Sequence, residues 1–86
     1  MIIKTKASQK ISVLLPTFNC QATLKSTLDS IKWADEIIVI DSFSNDDTIK
    51  IASVYGAKVH QHEYINSAKQ KNWALQYCTH DWVFQI

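Results

Sequence analysis

Apolar residues in this chain come in short blocks, and the blocks switch between two patterns. In "KISVLLP" the run Val13, Leu14, Leu15 is continuous, as in a strand buried on both faces of a parallel sheet. Pro16 is expected to stop that strand, because proline cannot donate to the ladder. "NCQATLKSTLDSIKW" then places Leu24, Leu28 and Ile31 at i, i+4 and i+7, one face of an amphipathic helix with Asn19 as its N-cap. "DEIIVID" is a second buried strand, Glu36 to Ile40, ending at Asp41. "SNDDTIKIASVYG" predicts a second helix. Ser44 and Asp47 form a capping box at its start, Asp46 and Asp47 suit its positive end, and Gly56 stands where a C′ residue needs positive φ. "AKVHQHE" alternates, as a more exposed third strand does. "NSAKQKNWALQYC" predicts a third helix with Ala68, Asn72, Leu75 and Cys78 on one face, and "DWVFQI" a fourth strand. The order β-α-β-α-β-α-β predicts an α/β fold, a Rossmann-like half of a doubly wound and mostly parallel sheet with right-handed crossovers. Residues 1–10 are expected as a lead-in and 11–86 as the folded unit.

Composition narrows the partners. The chain has 86 residues, enough for one small domain or half of a larger one. Hydrophobic residues at 47% and charged residues at 20% are those of a globular chain, not a disordered one. Nine lysines, no arginine and a net charge of +1 leave no basic patch of the kind nucleic acid needs, and no nucleic-acid partner is expected. Lys4, Lys6 and Lys10 read as a solvated tail. Cys20 and Cys78 lie too far apart for a zinc knuckle and read as buried free thiols. Residues 1–10 lack the apolar core of a signal peptide, and no apolar run nears the roughly 20 residues of a membrane span. A reducing, cytoplasmic setting is expected.

In an open α/β sheet, ligands sit outside the carboxyl ends of the strands. Those ends are "PTFN" at 16–19, "DSFSNDD" at 41–47 and the run into Ile86. No glycine follows the first strand, so neither a dinucleotide fingerprint nor a P-loop is present. A nucleotide would be held another way, with its base slotted between strand ends. Asp41 could accept a hydrogen bond from a base N–H, or could steady the loop into the second helix, and spacing does not choose. Ser42 could take the same role. Phe18 could stack on a base or plug the core. His60 and His62 share a strand face but have no evident third ligand, so solvated strand residues are the better reading. Trp33, Trp73 and Trp82 fit packing at element ends. A receiver-like interaction module would carry acids after the first strand, and a nucleotidyltransferase a glycine- and arginine-rich loop there. "PTFN" has neither.

"ISVLLPTFN", "ADEIIVIDSFSNDDTIKIASVYGAKV", "AKQKNWAL" and "DWVFQI" together resemble the family 2 inverting glycosyltransferases of the GT-A fold, over residues 11–86. The likeness is to the bacterial branch that adds glucose to the heptose of lipopolysaccharide core, and "DEIIVIDSFSNDDT" is its most specific stretch. The resemblance implies a nucleotide-sugar donor, UDP-glucose, and a glycan or lipopolysaccharide-core acceptor. It implies that Pro16, Thr17 and Phe18 line the base pocket, with Asp41 or Ser42 at the uracil. Lys71 and Asn72 match an Arg-Asn pair on the helix facing the nucleotide, although lysine lacks the planar fork of arginine.

The resemblance also implies an inverting displacement, with a carboxylate as general base and Mg²⁺ or Mn²⁺ on the leaving diphosphate. The family's D-x-D metal motif is expected just past Ile86, and the base further on. The expectation is therefore an N-terminal, nucleotide-binding half, inactive alone, with no tightly held metal and no catalytic residue of its own. An exposed apolar edge would favour self-association, and the whole enzyme would work at the inner face of the cytoplasmic membrane. The alternative is a non-catalytic α/β nucleotide-binding or interaction module.

Overall fold

Seven elements follow in the expected alternation: β1 (Ile11–Thr17), α1 (Gln21–Ser30), β2 (Glu36–Asp41), α2 (Thr48–Val54), β3 (Lys58–Gln61), α3 (Ser67–Leu75) and β4 (Trp82–Gln85). The computed structural model describes residues 10–63, 67–80 and 82–86, and backbone alone at 67, 68, 71 and 82. The lead-in expected at 1–10 lies outside the described residues except for Lys10, which is exposed. The four strands are parallel in the order β3-β2-β1-β4. Register runs from Ser12↔Glu36 to Thr17↔Asp41, so β1 and β2 end side by side.

Alternation along β1 and β2 feeds two cores. Val13, Leu15 and Val39 face α1 and α2, where they pack with Leu24, Leu28, Ile31 and Ala52. Leu14, Ile38 and Ile40 face the other way, towards Ala74 of α3. The helical face read for α1 is therefore the buried one. The face read for α3 is not. Asn72 and Leu75 are exposed, while Gln70 and Ala74 are buried, with Trp73, Tyr77 and Cys78 packed beside Ala74. The aromatic partners explain the rotation. Tyr77 stacks on His60 with ring centroids 3.8 Å apart, and Trp73 lies tilted on His62 at 4.0 Å. The two histidines are thus packed against α3 rather than solvated. The Nδ1 atom of His62 is buried without a hydrogen-bond partner among the described residues. Both cysteines are free, and they are half-buried rather than fully buried.

Pro16 lies inside β1, not beyond it. Leu14 O accepts from Ile86 N and Thr17 O accepts from Ser42 N, so Leu14 bonds towards β4 and Thr17 towards β2. Pro16 shares the parity of Leu14 and follows the last residue paired with β4, so its missing N–H falls where no described strand needs it.

The capping readings also change. Cys20, not Asn19, precedes α1, and Asp47 precedes α2 without a side-chain cap. Asn19 instead turns the chain at φ 46, a left-handed conformation that asparagine tolerates. Gly56 behaves as expected. With φ 80 it lets Gly56 N bond Ser53 O at 3.0 Å and Ala57 N bond Ala52 O at 3.1 Å, a Schellman closure of α2.

At the amino end of the sheet, Glu36 is almost fully buried. Ser12 Oγ donates to it at 2.7 Å, Thr79 N and Thr79 Oγ1 each at 3.0 Å, and Lys58 Nζ at 2.7 Å. Burial alone would raise its pKa. The Lys58, Thr79 and Ser12 hydrogen bonds outweigh burial and lower it to about 2. Among the described residues no helix is long and apolar enough to cross a membrane.

Candidate functional site

The chemistry gathers at the carboxyl ends of β1 and β2. A cleft of about 530 Å³ opens there between Pro16, Thr17 and Phe18 on one strand end and Ser42 and Phe43 on the next, with Glu63 and Gln70 closing it from the β3–α3 side. The rings of Phe18 and Phe43 are 61% and 55% exposed, so two aromatic faces are presented to whatever enters. Gln70 is buried, and its Nε2 donates to Ser42 Oγ at 3.3 Å. A larger cleft of about 790 Å³ lies at the opposite end of the sheet, around Glu36, Lys58 and Thr79. There the polar side chains already satisfy one another, and the strands present their amino ends, which are not the ligand-binding ends of such sheets.

Asp41 lies behind the cleft rather than in its wall. It is 0% exposed. Thr17 Oγ1 donates to Asp41 Oδ1 at 2.7 Å, Ser44 Oγ donates to the same oxygen, and Ser44 N donates to Oδ2 at 2.7 Å. Gln61 adds a further side-chain hydrogen bond. Burial would raise the carboxyl pKa, but the Ser44, Thr17 and Gln61 bonds prevail and hold it below the usual aspartate value. A carboxylate offers about four acceptor sites, and these partners occupy them.

The loops after β1 and β2 are tied to each other. Asn19 N donates to Ser44 Oγ at 2.8 Å, and Asn45 N donates to Asn19 Oδ1 at 2.7 Å. Cys20 N donates to Thr48 Oγ1 at 3.0 Å, Gln21 N to Asp46 Oδ2 at 3.2 Å, and Asp47 N to Gln21 Oε1 at 2.9 Å. The open N–H groups of α1 are thus met by side chains from the loop before α2, which satisfies the helix end across the fold. Asp46 Oδ1 also accepts from Thr48 N at 3.0 Å and from Thr48 Oγ1.

Of the residues singled out in the sequence, Pro16, Thr17, Phe18 and Ser42 line one cleft, and Asp41 braces it from behind. Asn72 lies exposed on α3 and is not among the lining residues. Lys71 is on the same helix, and its side chain lies outside the described residues. Phe43, Glu63 and Gln70 were missed. Phe43 was reachable, since it sits two residues after Asp41 in a strand-end loop. Gln70 was reachable only with the correct face of α3, on which it precedes Ala74 by one helical turn. Among the described residues no group of three or more His, Cys, Asp and Glu side chains is placed to hold a metal ion.

Residues 12–86 match the family model described as Glycosyl transferase family 2. The chain belongs to that family. An uncharacterized glycosyltransferase of Rickettsia typhi is 39% identical over 79 residues, 91% of this chain and 27% of that protein. Glucosyl-3-phosphoglycerate synthase of Mycobacterium tuberculosis is 48% identical over 59 residues, 63% of this chain and 18% of the synthase. A crystal structure of that synthase with Mn²⁺, UDP-glucose and phosphoglyceric acid superposes with a TM-score of 0.77 at 33% identity, covering 93% of this chain and 33% of the synthase. Another, with Mn²⁺, UDP and glucosyl-3-phosphoglycerate, gives 0.74 at 34% identity. The α/β fold and parallel sheet of this family 2 chain are those of the synthase's N-terminal fold. The chain spans about a third or less of the length of these relatives.

Proposed function

We propose that the cleft at the ends of β1 and β2 holds the nucleoside part of a nucleotide-sugar donor, with UDP-glucose the first candidate. One observation carries the reading. A cleft at the ligand-binding end of a parallel sheet, with two exposed aromatic rings and a hydroxyl–amide pair, occurs in a family 2 chain whose solved relative holds UDP-glucose. In this reading Pro16, Thr17 and Phe18 form one wall. Ser42 hydrogen-bonds the edge of the uracil, and Asp41 orders the loop. By the sequence resemblance, Lys71 and Asn72 belong to the helix that faces the nucleotide.

Residues 11–86 then act as the donor-binding half of a longer transferase. Sugar transfer with inversion, and a Mg²⁺ or Mn²⁺ ion like the Mn²⁺ of the mycobacterial synthase, are proposed for that longer protein. The lipopolysaccharide-core heptose rests on the sequence resemblance alone. The synthase structure carries phosphoglyceric acid, so the proposal commits to a donor and not to an acceptor.

Titration of the ¹⁵N-labelled chain with UDP tests it. Amide shifts are expected at Thr17, Phe18, Ser42, Phe43 and Gln70. A folded chain whose spectrum ignores UDP overturns the reading.

A further inference from the structure

The loop after β2 places a phenylalanine where the backbone favours glycine. Phe43 has φ 59, in the left-handed region that bulky side chains rarely adopt. Its ring is 55% exposed, so no core packing repays the conformation. Hydrogen bonds on either side enforce it. Ser44 N and Ser44 Oγ both return to the Asp41 carboxylate, which is fixed in turn by Thr17. Ser44 Oγ also accepts from Asn19 N, which ties the turn to the end of β1. A buried carboxylate is thus committed to holding one residue in an unfavourable conformation, and that residue's ring forms a wall of the cleft. Strain that the surroundings over-determine is the kind found where a side chain must be aimed at a ligand.

We propose that Phe43 is a nucleobase-stacking residue of the donor site, and that Asp41 is its positioning residue, acting on the base only through the turn that aims the ring. This rests on the donor-site reading above. The geometry separates the two carboxylate roles left open by the sequence. Asp41 has no exposed surface and its acceptor sites are taken, whereas Phe43 is 55% exposed and lines the cleft together with Ser42. A planar heterocycle bound in this cleft would meet Phe18 and Phe43 with its faces and Ser42 with its polar edge.

Phe43→Gly gives two readouts of opposite sign. Glycine relieves the left-handed conformation, so the melting temperature rises. Removal of the ring weakens UDP binding about tenfold, the effect expected for one lost base stack. Phe43→Tyr keeps wild-type affinity. In proton NMR, the uracil H5 and H6 signals of bound UDP move upfield with wild type and Phe43→Tyr. They move much less with Phe43→Gly and Phe43→Leu, a difference that isolates this ring from Phe18. Asp41→Asn reduces the same upfield shift, which a merely stabilising residue would not do. If Phe43→Gly binds UDP as tightly as wild type, with the same upfield shift, the inference is overturned while the donor site stands. If wild type binds no UDP, both fall together.

Discussion

β2 carries a buried carboxylate at each end, and the two do different work. Glu36, at the amino end, is gripped by Ser12 of β1, Lys58 of β3 and Thr79 before β4. Its partners come from across the fold, and joining them pins the strands and the α3–β4 connection together. Asp41, at the carboxyl end, is gripped by Thr17 of β1, Gln61 of β3 and Ser44 of the loop that follows it. Its partners shape a turn, and the turn shapes a cleft. Equal burial and equal saturation therefore say little about role. What separates a brace from a staple is Ser44, three residues on, whose bonds close a turn at Asp41, whereas every partner of Glu36 lies in another part of the fold.

The largest expected effect lies at the staple. Glu36→Ala strands the buried Ser12 hydroxyl, frees Thr79 and should cost about 2–3 kcal/mol of stability in urea unfolding. UDP affinity should be unchanged under conditions where the variant is folded. Asp41→Ala should cost about 1–2 kcal/mol and also weaken UDP binding by about tenfold. If both variants lose affinity alike, the distinction between the two ends fails.

Acid sharpens the contrast. The Glu36 pKa is depressed from 4.5 to about 2, so its stabilisation is complete above pH 4.5 and drains away as pH falls from there through about 2. Asp41 is also depressed, from 3.8, so its share is complete above 3.8 and is lost from there as pH falls through its folded value. Glu36→Gln should flatten the acid-stability curve from about pH 4.5 downward, and Asp41→Asn only below about pH 3.8, as urea midpoints across pH will read. The smallest effect belongs to Lys58. Its side chain is 60% exposed, so Lys58→Met should cost less than about 1 kcal/mol despite the 2.7 Å contact. A larger loss would make the ion pair, rather than the hydroxyl and amide donors, the core of the staple.

What the sequence disclosed follows from range. The apolar periods of β1, β2 and α1 are local properties, and Leu24, Leu28 and Ile31 are buried as their spacing requires. Gly56 is equally local. Asn19 and Ser44 misled as caps because the helix ends are satisfied from the neighbouring loop, a pairing over some 25 residues that no local motif records. The α3 face misled because its buried side carries polar Gln70, and because Trp73 and Tyr77, in and just after α3, pack on His62 and His60 at the end of β3. The strand-end rule led to Asp41 and Ser42, and a cleft opens there that Ser42 lines and Asp41 backs. It could not show that the acid turns inward while the neighbouring phenylalanine turns out.

The reciprocal bonding of residues 19–21 with 44–48 constrains how this region can diverge. Each of these hydrogen bonds fixes the register of one loop against the other. One residue inserted in either loop puts the whole set out of step, so their lengths can change only in concert. The β3–α3 side of the cleft, which supplies Glu63 and Gln70 and is not bound into that set, can change its lining without loss of the frame.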